Sequence, residues 1–92
     1  MLTLETTSRF RRDYKLAKKR GYDMSLLERA IDLLLEEKPL DAKYRDHALI
    51  GGLTGFRECH IQPDWLFVYK IDRGRLVLVA ARTGTHSDIF DE

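Results

Sequence analysis

The spacing of apolar residues changes twice along this chain. Residues 2–6 alternate apolar and polar, a period of two that suits a short strand. From residue 8 the period lengthens. Phe10, Tyr14 and Ala17 recur at i, i+4 and i+7, one narrow stripe on a helix. Ser8 reads as its N-cap, and Gly21 is placed to end it after Arg20. Leu27, Ala30, Ile31 and Leu34 mark the inner face of a second, more buried helix, widened by Leu26, Leu33 and Leu35. Its start matches a capping box, Ser25-Leu26-Leu27-Glu28, and Pro39 closes it.

Residues 40–54 then form a long connection containing Gly51-Gly52. A connection of this length in so small a domain is usually functional or mobile. Beyond it the period returns to two, with strands predicted at 55–61, 65–72 and 75–82. Gln62-Pro63-Asp64 is the first turn between them. Asp72-Arg73-Gly74 is the second, with Gly74 at its left-handed position. Residues 76–81 are apolar on both faces, which marks a central strand. Residues 83–92 read as a loop ending in a short C-terminal helical turn. The order β-α-α-β-β-β predicts an α+β fold in a single domain, residues 1–92. Two helices pack on one face of a mostly antiparallel, four-stranded sheet.

Charge changes the picture only through its distribution. The net charge is +1, yet Arg9, Arg11, Arg12, Lys15, Lys18, Lys19 and Arg20 crowd the first helix against Asp13 alone. Asp88, Asp91 and Glu92 make the end acidic. Such a block is either a solvated helix face or an anchor for a polyanion. The lone Cys59 cannot form an internal disulfide, which fits a reducing compartment, and it reads as a small core residue. No stretch approaches the roughly 18 apolar residues of a membrane span. The chain therefore reads as soluble and cytoplasmic, with no membrane partner.

The candidate chemistry gathers at strand ends and loops. His60 precedes the Gln62-Pro63-Asp64 turn and Trp65 follows it. Arg82-Thr83-Gly84-Thr85-His86 leaves the central strand with a fixed cation, a flexible Gly and an imidazole. A guanidinium can grip phosphate through its planar fork, and an imidazole can move a proton near neutral pH. With His47 and Asp64 these residues suit phosphodiester cleavage. The histidines are spaced too widely for HxH or HxxxH pairs, a poor pattern for a metal site. No Ser or Cys carries a nucleophile signature. A nucleophile supplied by the substrate, the ribose 2′-OH, needs only a base, an acid and a charge stabiliser, with no metal and no cofactor. Trp65 reads either as core or as a platform on which a base stacks. On strand parity, His60 shares a face with Phe56 and Glu58.

Three segments, residues 44–49, 55–65 and 82–90, resemble in order and spacing those of the YafQ-like toxins of the RelE superfamily. The resemblance covers essentially the whole chain, the basic first helix included. It implies a toxin of a type II toxin–antitoxin system: a ribosome-dependent mRNA interferase that cuts mRNA in the decoding site. The matching positions are His47, His60, Asp64, Arg82, His86 and Phe90, with Trp65 beside them. They imply acid and base work shared by His86 and His60 with help from His47. Arg82 would stabilise charge, Asp64 would orient a histidine, and Phe90 and Trp65 would stack on bases. Lys15, Lys18 and Lys19 would contact RNA backbone. At Glu58 and Cys59 the chain departs from the family's Asp and Ala; the charge is kept, and no role is carried over to Glu58. The implied partners are the 70S ribosome with its mRNA and an acidic, partly disordered antitoxin of DinJ/RelB type, with DNA reached only through that antitoxin. The rival readings are a toxin of this fold that binds a protein target such as gyrase, and a ribosome-bound regulator that does not cut.

Overall fold

A computed structural model describes residues 1–90; Asp91 and Glu92, counted above in the acidic end, lie outside the described residues. Strand β1 (Thr3–Thr6) passes through one residue into helix α1 (Ser8–Lys19). That residue, Thr7, is the cap: its hydroxyl accepts from Phe10 N–H at 3.0 Å, so Ser8 is already inside the helix. Helix α2 (Met24–Leu35) also starts earlier than the capping box suggests. The Asp23 carboxylate accepts from the backbone N–H of Ser25 at 3.1 Å and from its hydroxyl at 2.5 Å. A charged acceptor at a positive helix end outcompetes the serine as a cap. The helix stops without help from Pro39. Glu37 turns left-handed (φ 58), and Lys38 N–H returns to the Leu33 carbonyl at 2.9 Å. This is a Schellman closure made without glycine.

The sheet has five strands rather than the four expected. In spatial order they are β1, β5 (Val77–Gly84), β4 (Trp65–Asp72), β3 (Arg57–Gln62) and β2 (His47–Ala48). β1 runs parallel to β5, and the other pairs are antiparallel. The added strand, β2, is a two-residue piece of the 40–54 connection, too short to show a period of its own. The rest of that connection is organised by 3-10 turns at Ala42–Tyr44 and Gly51–Leu53. The β4–β5 turn also differs from expectation. Asp72 accepts from the N–H groups of Gly74 and Arg75, and the left-handed residue is Leu76 (φ 56), not Gly74. β5 accordingly starts two residues late and runs on to Gly84, where a short helix α3 (His86–Phe90) follows.

Both helices cover one face of the sheet. Leu27, Ala30, Ile31 and Leu34 of α2 and Phe10 of α1 are buried against Cys59, Phe67, Tyr69, Leu78 and Ala80. Burial pushes the Cys59 thiol up to about 12, which keeps it an unreactive core group. β1 ends at Thr6 opposite Ala80, leaving the outer edge of β5 without a strand beyond that point. α1 takes over there. The Thr7 hydroxyl donates to the Ala81 carbonyl at 2.8 Å, and Asp13 accepts the Thr83 N–H at 3.1 Å. The edge groups are thus satisfied by side chains, and the end of β5 is fixed where the candidate chemistry begins.

Candidate active site

Sheet register brings the separated residues together. His47 pairs with Glu58, Glu58 with Val68, and Val68 with Arg82, while His60 pairs with Leu66. Cross-strand partners share a face, so His47, Glu58, His60 and Arg82 lie on the face opposite Cys59 and Phe67, the one that α2 does not cover. There the rings form a row. The His47 and His60 centroids are 6.4 Å apart, His60 and His86 5.9 Å, and His86 and Phe90 6.2 Å.

Glu58 is the anion within this row. It is 4% exposed, and its Oε1 lies 3.6 Å from His47 Nε2 and 3.5 Å from His60 Nε2. The other nitrogens meet carbonyls, His47 Nδ1 at Arg45 O (2.7 Å) and His60 Nδ1 at Pro63 O (3.3 Å). A carbonyl only accepts, so Nδ1 carries the proton in both rings and Nε2 is left facing the carboxylate. In their imidazolium forms the two rings and Glu58 make a cationic cluster directed at the open face.

His86 is held separately. Asp64, from the turn between β3 and β4, accepts from the His86 backbone N–H at 3.3 Å and lies 3.0 Å from its Nδ1. These two contacts hold the Asp64 carboxyl below its ordinary value, and they leave Nε2 as the free end of the ring. The backbone under His86 has one solution. Gly84 adopts φ +150, and a Cβ there would stand 2.9 Å from Asp88 Oδ2 and 3.0 Å from Asp88 Cβ. That carboxylate accepts from Thr85 N–H at 3.0 Å, while the Thr85 hydroxyl accepts from Asp88 N–H at 3.1 Å. Arg20, at the end of α1, binds Asp88 at 2.7 Å and lowers its pKa to about 2. The basic helix thereby clamps α3 to the domain.

A sequence model for a family described as the bacterial toxin of type II toxin–antitoxin systems, YafQ, matches residues 2–91. The chain belongs to the YafQ toxin family. It is 40% identical over 88 residues to the mRNA interferase toxin YafQ of Escherichia coli strain K12, covering 95% of this chain and 94% of that protein. A crystal structure of a metal-bound toxin from Helicobacter pylori is similar at TM-score 0.93 and 47% identity, covering 98% of this chain and 100% of that one. A chain of the crystal structure of the E. coli DinJ–YafQ complex is similar at TM-score 0.89 and 38% identity, over 98% and 99%.

Within this YafQ-family chain, the residues singled out by sequence divide into four groups. His47, His60, Asp64, His86 and Phe90 meet in the ring row. Arg82 lies on the same face but is already engaged. Its Nε and Nη2 donate to Asp13 at 2.7 and 3.3 Å, and Nη2 also donates to the Asp88 carbonyl at 3.3 Å. Among the described residues its Nη1 has no hydrogen-bonded partner. Trp65 is not a stacking platform. It is 1% exposed, its ring packs 4.8 Å from Tyr22, and its Nε1–H donates to the buried Thr83 hydroxyl at 2.9 Å. The apolar ring found its polar partner inside the core, which corrects the expectation that it contacts a base. Lys15, Lys18 and Lys19 are exposed on α1, without a carboxylate partner among the described residues and outside the ring row. Sequence reasoning missed Glu58, although its parity with His60 was visible. It also missed Asp13, whose contact with Arg82 spans 69 residues and leaves no local signal. Among the described residues, no group of three or more His, Cys, Asp or Glu is arranged to hold a metal ion.

Proposed function

We propose that this chain is an mRNA interferase that cuts mRNA on the ribosome by attack of a ribose 2′-OH on the adjacent phosphate. A base removes the 2′-OH proton, the O2′–P bond forms, and the P–O5′ bond breaks as an acid protonates the leaving oxygen. The products are a 2′,3′-cyclic phosphate and a 5′-hydroxyl, and the step needs no metal. The observation that carries this reading is the ring row, with Glu58 between two histidines and Asp64 behind the third. His86, as an imidazolium paired with Asp64, presents Nε2 to the leaving oxygen. His60, neutral with its proton on Nδ1, takes the 2′-OH proton on Nε2, and the Glu58 carboxylate beside it stabilises the imidazolium that forms. His47 and Arg82 Nη1 face the charge that develops on the phosphorus oxygens, and Phe90 stacks on a base.

The test is single-turnover cleavage of a defined mRNA on programmed ribosomes. Cut message with a cyclic phosphate end is the expected result. Ribosome binding without cleavage would select the regulator instead, and neither outcome would favour a protein target. The exposed lysines of α1 supply the ribosomal contact in this reading. Replacing Lys15, Lys18 and Lys19 with Gln should weaken ribosome binding and lower the salt slope by about one per lysine. Affinity unchanged across salt would return these side chains to a solvated face. A cognate acidic antitoxin, as the DinJ–YafQ complex suggests by analogy, would bind the toxin and hold it inactive.

Gly84 gives a sharper check on the His86 assignment. In Gly84→Ala the new methyl group meets Asp88 and forces α3 away from β5. A strained backbone position of this kind costs ~1–3 kcal/mol, readable by thermal melting, and cleavage should fall far more than that loss of stability explains. A variant that cuts at the wild-type rate would show that the placement of α3 does not matter to the chemistry.

A further inference from the structure

A groove of about 420 Å³ opens beside the ring row, between the start of α2, the Ala42–Tyr44 turn and the end of β3. This is within the size range of small-ligand sites. Leu26, Ile61 and Pro63 give it an apolar floor, and Arg29, Lys43 and Arg45 stand around it. No carboxylate lines it. Arg20, Arg57, Arg73, Arg75 and Arg82 each hold a carboxylate, whereas the cations along α1 and Lys70 do not among the described residues. Among the described residues none of the three groove cations is ion-paired. Lys43 Nζ instead sits 5.5 Å from the Tyr44 ring centroid.

Two contacts join this groove to the chemistry. His60 belongs both to the ring row and to the groove wall. Arg45, left-handed at φ 50, presents its carbonyl to His47 Nδ1 at 2.7 Å. The register slip between His60 and Gln62 lets the consecutive residues His60 and Ile61 both line the groove, since a bulge re-aims the side chains around it. An apolar floor under unpaired cations suits a base with its phosphate, and guanidinium planes can stack on bases. An acidic peptide would satisfy the same cations, but it would not account for the wall shared with the catalytic row.

We propose that this groove is a subsite for a nucleotide of the mRNA next to the scissile phosphate. The proposal rests on the reading of the chain as an mRNA interferase and extends it to substrate selection. The experiment uses ribosomes programmed with mRNA carrying 4-thiouridine one nucleotide before or after the cleaved bond, together with the His86→Ala protein. Irradiation from one of the two positions should crosslink residues 42–45 or 61–63. In parallel, Arg29→Gln combined with Lys43→Gln should raise KM for cleavage about tenfold, the scale of one lost base contact, with a smaller fall in kcat. Circular dichroism melts establish that the variant is folded. Crosslinks confined to other segments would overturn the subsite, as would an unchanged KM. A variant that loses affinity for an acidic antitoxin peptide while its RNA kinetics stay the same would overturn it in favour of that peptide. Groove crosslinks from a wild-type protein that does not cut would uphold the subsite and sink the proposed chemistry, so the two failures are separable.

Discussion

Replacing His86 with Ala is expected to lower single-turnover mRNA cleavage by about 10²–10⁴, the usual effect of losing a general acid or base. The fold and ribosome binding should survive. The His86 side chain is 45% exposed, and among the described residues its hydrogen-bonded partner is Asp64, so truncation removes little packing. α3 keeps its anchors, because Asp88 holds Thr85 and is itself held by Arg20. The clamp should also be insensitive to pH across the working range. Asp88 has a folded pKa of about 2, below the unfolded carboxylate value. Its link to Arg20 therefore contributes fully above that unfolded value and is lost only as pH falls through about 2. Between pH ~5 and 8 the clamp is therefore constant, so a change in rate there does not come from loss of the Arg20–Asp88 contact. Asp64→Asn should fall between wild type and His86→Ala, since the ring stays but loses its anion. A His86→Ala protein that cuts within a few-fold of wild type would move the acid elsewhere in the row.

The helical half of the fold was legible because its signals are local. The Leu27–Leu34 stripe and the Phe10–Ala17 stripe both reached the core as their spacing implies. The cap residues were displaced by one or two positions because several acceptors compete there. Thr7 precedes Ser8 and Asp23 precedes Ser25, and in each case the earlier side chain makes the capping hydrogen bond. β2 was invisible for a different reason. Two residues, His47 and Ala48, pair with β3 because Glu58 and Arg57 lie opposite them, a fact of tertiary register.

The same division runs through the site. His47, His60 and His86 could be singled out as residues, and the family resemblance assigned them together. Their mutual distances depend on β2–β3–β4–β5 register, which no local pattern encodes. Arg82 was readable as a cation leaving a central strand. Its engagement with Asp13 was not, because a helix and a strand end must first dock before that contact exists. Trp65 went astray because one residue type serves both core and stacking roles, and only burial decides between them.

Glu58 supplies the second large effect. It is nearly buried between His47 and His60, yet the sequence offered it only as a neighbour of His60 on a strand face. Gln has the same shape without the charge, so Glu58→Gln keeps the packing and removes the anion between the rings. The loss of one preorganised electrostatic partner typically costs about 10²–10³ in kcat. The expected result is a fall of that size in kcat with KM little changed, because the carboxylate touches the histidines rather than the ground-state phosphates. A purely structural carboxylate would instead lower the melting temperature and leave kcat close to wild type. Glu58→Asp separates the two cases further. It keeps the charge one methylene further back, so activity should return in large part if charge is what matters, whereas a packing role would make Asp worse than Gln. Equal cleavage by the Gln variant and wild type would leave His60 and His86 to divide the proton transfers without a buried anion. The Glu58–His60 base assigned here would then be wrong.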